Sequence, residues 1–280
     1  MDAKSVNSKL FSLSDCQRIV KKAIVERLKT GHSVREIPET GAVYPVTVSI
    51  RDDFAELLID TSGDGLHKRG YRRKSNDAPI KETLAAAMCD LARIYPDTMF
   101  FDPFCGSGTL LIESAMMAAK IAPGLRRFFA AERYGFISEN VWREERMRAQ
   151  DNILHNIDFL ANGFDIDKNS VELTLANAKK AGVENYVKAE VKDVKDFKTP
   201  DERLVVITNP PYGERLLDIK SAESLYTTMG ECFELKQGKK YFVISPHDDF
   251  EKFFGKTADK RRKLYNGMIK CQLYMYFKHK

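Results

Sequence analysis

Hydrophobic and polar positions along this chain change period several times, and each change marks an element. Over residues 14–30, Ile19, Val20, Ala23, Ile24 and Leu28 recur on one face of a 3.6-residue period, with Ser14 and Gln17 spaced as a capping box and Gly31 as the stop. This spacing predicts a packing helix. Two β-rich runs follow at 43–50 and 54–60, and Arg51-Asp52-Asp53 between them predicts an antiparallel hairpin. After a basic stretch at 66–74, Ile80, Leu84, Ala87, Met88 and Leu91 return to helical spacing, with Asp77 suited to the cap and Pro79 to the first turn.

From residue 99 onward, short apolar runs alternate with helical patterns. Strands are predicted at 99–102, 162–165, 186–191, 204–208 and 241–245. Helices are predicted at 107–121, 169–181 and 222–235, with Asp167 capping the second of them and Gly182 ending it. Strands separated by helices imply a parallel sheet with right-handed crossovers, hence an α/β fold of Rossmann-like type. The end of the chain breaks the rhythm. Runs at 263–266 and 269–277 are too close for a crossover helix and predict an antiparallel hairpin bending at Asn266-Gly267. Residues 123–160 also interrupt it, opening on Pro123-Gly124 and carrying Arg126, Arg127, Phe128, Phe129, Trp142 and a charged helical run. They read as an insertion, for which covering the sheet edge and touching a substrate both stay open.

With 280 residues, 43% of them hydrophobic, the chain can bury a full core and holds one main domain plus an appendage. It contains no long unbroken apolar run, and its first ten residues have no apolar signal region, so a cytoplasmic location without a membrane partner is expected. Five scattered cysteines without Cys-x-x-Cys spacing suggest neither a metal site nor a disulfide framework. The net charge is only +5, but residues 256–280 hold eight Lys or Arg against the single acid Asp259, which suits a polyanionic partner. The run Lys68, Arg69, Tyr71, Arg72 and Arg73 reads either as a phosphate-contacting strip with a stacking tyrosine or as a solvated linker; Arg261 and Arg262 extend the first reading.

Two stretches carry candidate chemistry. In the first, the strand at 99–102 runs into Asp102-Pro103-Phe104-Cys105-Gly106-Ser107-Gly108-Thr109 and then an apolar helix. The glycines permit positive φ and close approach of a ligand, and the loop and helix N-terminus favour an anion. A third glycine is missing where a dinucleotide fingerprint needs one, at Leu111, and no Gly-Lys-Ser/Thr marks a P-loop. Ligands of a doubly wound sheet cross the carboxyl ends of its strands, so Asp102, Asp165 and Asp193 should converge, Asp165 on ribose hydroxyls and Asp193 on an adenine amino group. Asp165 and Asp193 also suit simple capping or turn roles.

The second stretch, Asn209-Pro210-Pro211-Tyr212, follows a β-branched strand. An exocyclic amine on a base is a poor nucleophile because its lone pair is delocalised. Acceptors on its hydrogens, the Asn209 side-chain oxygen and the Pro210 carbonyl, would localise that pair; Pro211 stiffens the loop and Tyr212 offers a stacking face. Together the two stretches resemble motifs I and IV of S-adenosylmethionine-dependent amino-group methyltransferases, class I enzymes whose mostly parallel sheet ends in an antiparallel hairpin.

From about Ser5 onward the chain resembles the THUMP-linked RNA methylases, most closely the 23S rRNA (guanine-N2)-methyltransferase group; older naming calls members N6-adenine-specific DNA methylases. The resemblance rests on Ser14-Asp15-Cys16-Gln17-Arg18-Ile19-Val20, Leu66-His67-Lys68-Arg69-Gly70-Tyr71-Arg72, Ala78-Pro79-Ile80-Lys81-Glu82-Thr83-Leu84, both chemical stretches, Gly163-Phe164-Asp165-Ile166-Asp167 and Leu264-Tyr265-Asn266-Gly267. It implies a partial α+β THUMP-like RNA-binding segment at 1–65 and a methyltransferase domain at 66–280 with its insertion at about 123–160. It further implies S-adenosylmethionine as cofactor, held by Ala78, Pro79, the loop 102–109, Asp165, Ile166, Asp193 and Asn209, and RNA, 23S rRNA above all, as partner. DNA adenine-N6 methylation and a non-catalytic RNA-binding subunit are the alternatives.

Overall fold

The computed structural model describes residues 1–72, 79–212 and 218–278. They divide into two compact units, one of residues 1–66 and 128–146, the other of 67–127 and 147–280. The stretch expected as an insertion on the α/β core therefore splits. Its middle, 128–146, groups with the N-terminal residues instead of joining the sheet.

In the first unit, β1 (Asp2–Val6) pairs parallel with β2 (Val46–Arg51), which pairs antiparallel with β3 (Phe54–Ile59). The sequence pattern contained the β2–β3 hairpin but missed β1, whose five residues lack an apolar run. Asp52 and Asp53 form the two-residue loop and both take positive φ, 50° and 62°, the backbone that matches the twist of a hairpin. The Asp53 carboxylate accepts the Ser8 hydroxyl and the Lys9 N–H, which offsets the cost of a non-glycine there. α1 (Leu13–His32) is capped by Ser12, which accepts the Asp15 N–H, and not by Ser14 as its spacing with Gln17 suggested. Ser12 wins because its φ/ψ is extended, the conformation a cap requires.

The second unit begins its helices with α2 (Glu82–Ala92), which starts later than expected: Lys81 occupies the cap position and Pro79 precedes the helix. Asp77, the expected cap, lies outside the described residues. β4 (Met99–Asp102) then leads to α3 (Thr109–Ala118); α4 (Glu139–Asp151), in which the division between units falls, precedes β5 (Leu160–Asp165) and α5 (Lys168–Ala181). β6 (Val187–Val191), β7 (Leu204–Thr208), α6 (Ile219–Cys232), β8 (Lys239–Ser245), α7 (Phe250–Phe254), β9 (Lys260–Asn266) and β10 (Ile269–Tyr276) complete it. The sheet order is β6-β5-β4-β7-β8-β10-β9; the first five run parallel and the last two antiparallel to their neighbours.

Alternation along the central strands builds two cores, one on each face. Phe100, Val205, Ile207, Phe242 and Ile244 pack with the apolar faces of α2, α3 and α5, while Phe101, Val206, Tyr241 and Val243 pack with α6, α7 and Phe197. Every residue of β7 is buried as a result. Order reverses between β4 and β7, so the two motif loops leave adjacent parallel strands and diverge around one crevice. At the far edge, β9 exposes Lys260, Arg261, Arg262 and Lys263, charges that keep an open strand edge from pairing with another chain.

Candidate active site

A cavity of about 740 Å³ opens at the carboxyl ends of the strands, and both motif loops line it. Its wall takes in Pro79, Asp102 to Ser107, Thr109, Asp165, Ile166, Asp193 and Asn209 to Tyr212, so the three strand-end acids converge on one space. The size is that of a pocket for a nucleoside-sized ligand.

The glycine loop is held from below by the protein itself. Cys105 N–H donates to the Phe164 carbonyl (2.9 Å), Gly106 N–H to Asp165 Oδ2 (3.0 Å) and Gly108 N–H to the Cys105 carbonyl (2.8 Å). From α5, Thr174 Oγ1 donates to the Gly106 carbonyl (2.9 Å) and Asn177 Nδ2 to the Ser107 carbonyl (3.0 Å). Three N–H groups expected to face an anion are thus engaged internally, which makes the loop a shaped wall more than an anion cradle. Gly108, expected on the cofactor, is not part of the cavity wall; it caps α3 at φ 81°, and a Cβ there would sit 2.8 Å from Thr174 Cγ2. The missing side chain lets α5 pack closely on the loop. Burial pushes the Cys105 thiol up, so it stands in the wall as a neutral group.

Asp102 is fully buried at the end of β4. Its Oδ1 accepts both the Thr208 hydroxyl (2.7 Å) and the Phe104 N–H (3.1 Å), and Oδ2 accepts no hydrogen bond from the described residues. Burial raises its pKa to about 7, because water no longer solvates the charged form and the two donors only partly replace it. Thr208 immediately precedes Asn209, so this one bond ties the first motif to the second. Asp165 accepts Gly106 N–H on one oxygen and Asp167 N–H on the other, each keeping a lone pair for a ligand. Asp193 follows the neighbouring strand β6, and the Lys195 backbone N–H holds its carboxyl below the usual carboxylate range.

Asn209 Oδ1 is buried in this wall and has no hydrogen-bond partner among the described residues. A carbonyl oxygen left so costs about 1–3 kcal/mol unless a ligand satisfies it. Tyr212 is only 6% exposed; unlike Tyr71 it is part of the cavity wall, and its hydroxyl accepts the Asn266 side-chain N–H.

The structure separates the expected nucleic-acid residues. Tyr71 is only 3% exposed and donates its hydroxyl to Glu113 Oε1 (3.0 Å), so it offers no stacking face. Arg69 pairs with the same Glu113, and Arg72 pairs with Glu82 at 2.6 Å; all four side chains are largely buried. These residues clamp the cavity wall instead of meeting phosphate: Arg72 also donates to the Ile80 carbonyl and to Thr109 Oγ1. Lys68, Arg261 and Arg262 are all exposed, and Arg261 also pairs with Glu251 and stands over the Tyr274 ring. Ala78 and Arg73 lie outside the described residues. Sequence reasoning missed Thr208, Thr174, Asn177 and the α6 wall of Ser221, Ser224, Leu225 and Thr228. Thr208 had a signal, being the one polar residue at the end of an otherwise apolar strand.

A doubly wound sheet closed by an antiparallel hairpin, with a glycine loop and an Asn-Pro-Pro-Tyr loop facing each other across its switch point, defines a class I methyltransferase fold. Residues 69–275 match the RMKL-like methyltransferase domain family, to which this chain belongs, and residues 1–60 match the THUMP domain. The chain is 44% identical over 276 residues to the Bacillus subtilis protein named "Putative RNA methyltransferase YpsC", covering 98% of this chain and 72% of that one. It is 35% identical over 268 residues to the ribosomal RNA large subunit methyltransferase K/L of Shewanella baltica, covering 93% of this chain but only 38% of that protein. Among solved structures, "SMU.472, a putative methyltransferase complexed with SAH" superposes with a TM-score of 0.91 at 42% identity, over all of this chain and 74% of that one.

Proposed function

We propose that this chain is an S-adenosylmethionine-dependent methyltransferase of RNA, acting on an exocyclic amine, and that the amine is N2 of guanine in 23S rRNA. The observation that carries the reading is the buried Asn209 Oδ1, without a hydrogen-bond partner among the described residues, in a cavity wall shared with the glycine loop. The relatives named RNA and ribosomal RNA methyltransferases and the THUMP match support RNA as the polymer.

The residues fit the cofactor. Asp193 suits an adenine amino group, Asp165 has lone pairs for ribose hydroxyls, Ile166 and Val194 give apolar contact, and Asp102 faces the cavity where an ammonium is to be held. Bound there, S-adenosylmethionine supplies an electrophilic methyl group on a sulfonium. The chain's own contribution is alignment. Asn209 Oδ1 and the Pro210 carbonyl accept the hydrogens of the target amine, which turns its lone pair out of the ring system, and Pro211 keeps both acceptors fixed. Tyr212 stacks on the extruded base. The proton lost from the methylated amine passes to water.

Transfer of labelled methyl from S-adenosylmethionine to unmodified ribosomal RNA and to unmethylated DNA tests the reading. Label in RNA alone is expected; label in DNA alone would move the activity to adenine N6.

Asp102 makes the cofactor step pH-dependent. Its raised pKa means that the neutral acid favours the folded state: that stability is complete below the unfolded value near 3.8 and lost as pH rises through about 7. A cationic ligand beside it favours the ionised form. Cofactor affinity should therefore rise from pH 5.5 to about 7 and level off above. In Asp102→Asn, calorimetry should find weaker binding that no longer changes over this range, and thermal melts at pH 8 should show a cofactor-free protein at least as stable as the parent.

A further inference from the structure

The Leu264-Tyr265-Asn266-Gly267 stretch belongs to the family pattern, yet the proposed chemistry assigns it nothing. Its place in the fold is specific. Asn266 is the last residue of β9 and pairs with Ile269, the first of β10, across a two-residue loop whose first position, Gly267, takes φ 67°. Alternation along β9 puts Asn266 on the same face as Leu264, which packs on the core, and puts Tyr265 on the other, where it is half exposed with Lys263 Nζ 5.3 Å from its ring centre. Asn266 is only 3% exposed. Its Nδ2 donates to the Tyr212 hydroxyl at 3.1 Å, across 54 positions of sequence, from a strand to the loop that follows β7.

A buried asparagine is a costly way to end a strand unless its amide is used. Here it is used on the residue that follows the two prolines. Pro210 and Pro211 fix the backbone of the Asn209 loop, but they do not fix the χ angles of Tyr212, a residue that lines the cavity. The Asn266 bond adds a polar anchor at the far end of this buried side chain, on its hydroxyl.

We propose that Asn266 is a positioning residue for Tyr212: by holding the hydroxyl it sets the plane on which the incoming base stacks, so that the β9–β10 hairpin, and not the Asn209 loop alone, determines base geometry. This inference rests on the proposed function, since a stacking plane matters only to an enzyme that receives a planar base. It makes the hairpin a second support of the substrate site, through Tyr212.

The test is a cycle of Asn266→Ala, Tyr212→Phe and the double variant, assayed for methyl transfer to unmodified ribosomal RNA and for cofactor affinity. Each single variant loses the same bond. Turnover should fall about tenfold in each, a change of 1.4 kcal/mol, the double variant should be no worse than either single one, and cofactor affinity should stay at the parent's value. Parent-like turnover in Asn266→Ala, multiplied losses in the double variant, or a parallel fall in cofactor affinity would overturn the proposal. A parent protein that methylates no RNA would instead overturn the proposed function. In that event a crystal structure of Asn266→Ala decides the positioning role: a Tyr212 ring turned away from the parent orientation supports it, and an unmoved ring refutes it.

Discussion

Replacing Asn209 by alanine should reduce methyl transfer by about 10²–10³-fold, the loss typical of removing one preorganised polar contact to the reacting group, while the cofactor dissociation constant changes by no more than about threefold. Asn209 Oδ1 is buried and unpartnered among the described residues, so it contributes nothing to holding the fold that its removal would destroy. The loop it sits on is fixed by Pro210 and Pro211, and the preceding Thr208 stays bound to Asp102 in the variant. What the variant lacks is an acceptor for the amine hydrogen at the moment its lone pair must leave the ring. Single-turnover kinetics and calorimetry on the same preparation separate the two effects; equal losses in both would show that Asn209 serves the cofactor and not the amine.

The second large effect is on the fold. Gly230 lies in α6 where the end of α7 crosses it, and a Cβ added there would stand 2.0 Å from the Phe254 carbonyl oxygen and 2.8 Å from its carbon. Backbone cannot yield as a side-chain tip can. Gly230→Ala should cost about 3 kcal/mol, at the upper end for an overpacked contact, and lower the melting temperature by about 6–12 °C. α6 also supplies Ser221, Ser224, Leu225 and Thr228 to the cavity, so its displacement should weaken cofactor binding as well. Gly135→Ala is the control: nothing lies within 4 Å of its added Cβ and its φ is not positive, so melting should be unchanged. A Gly230→Ala protein as stable as this control would show that α6 and α7 do not pack as described.

The parts of the site that were legible in the sequence are those that local chemistry determines. A strand, an acid and a glycine turn at 99–109 can be read along the chain, as can a rigid Asn-Pro-Pro-Tyr after β7, because each is a contiguous run whose residue order alone carries the pattern. The convergence of Asp102, Asp165 and Asp193 followed from the rule that ligands cross the carboxyl ends of a doubly wound sheet. What was illegible depends on partners distant in sequence. The run around Arg69, Tyr71 and Arg72 looks like a solvent-facing basic strip until Glu113 and Glu82 are seen beneath it. Glu113 did leave a trace: it is the only charged residue in α3, a mostly apolar helix. Asn266 was read as a turn residue because Asn-Gly so often bends a hairpin, whereas here the bend is one position later and the asparagine reaches Tyr212. The division of the chain was hidden for a similar reason. Residues 128–146 carry aromatics that suit any core, and only tertiary pairing, such as Tyr134 Oη on the Asp60 carbonyl and the Tyr44–Tyr134 ring stack, assigns them to the first unit.

The most direct test of the central claim is mass spectrometry of nucleosides from unmodified 23S rRNA after incubation with this protein and S-adenosylmethionine, with Asn209→Ala run in parallel. The account predicts N2-methylguanosine with the parent protein and almost none with the variant. Methyl groups on carbon, on a ribose oxygen or on a ring nitrogen would contradict it, because none of those positions presents an amine hydrogen to Asn209.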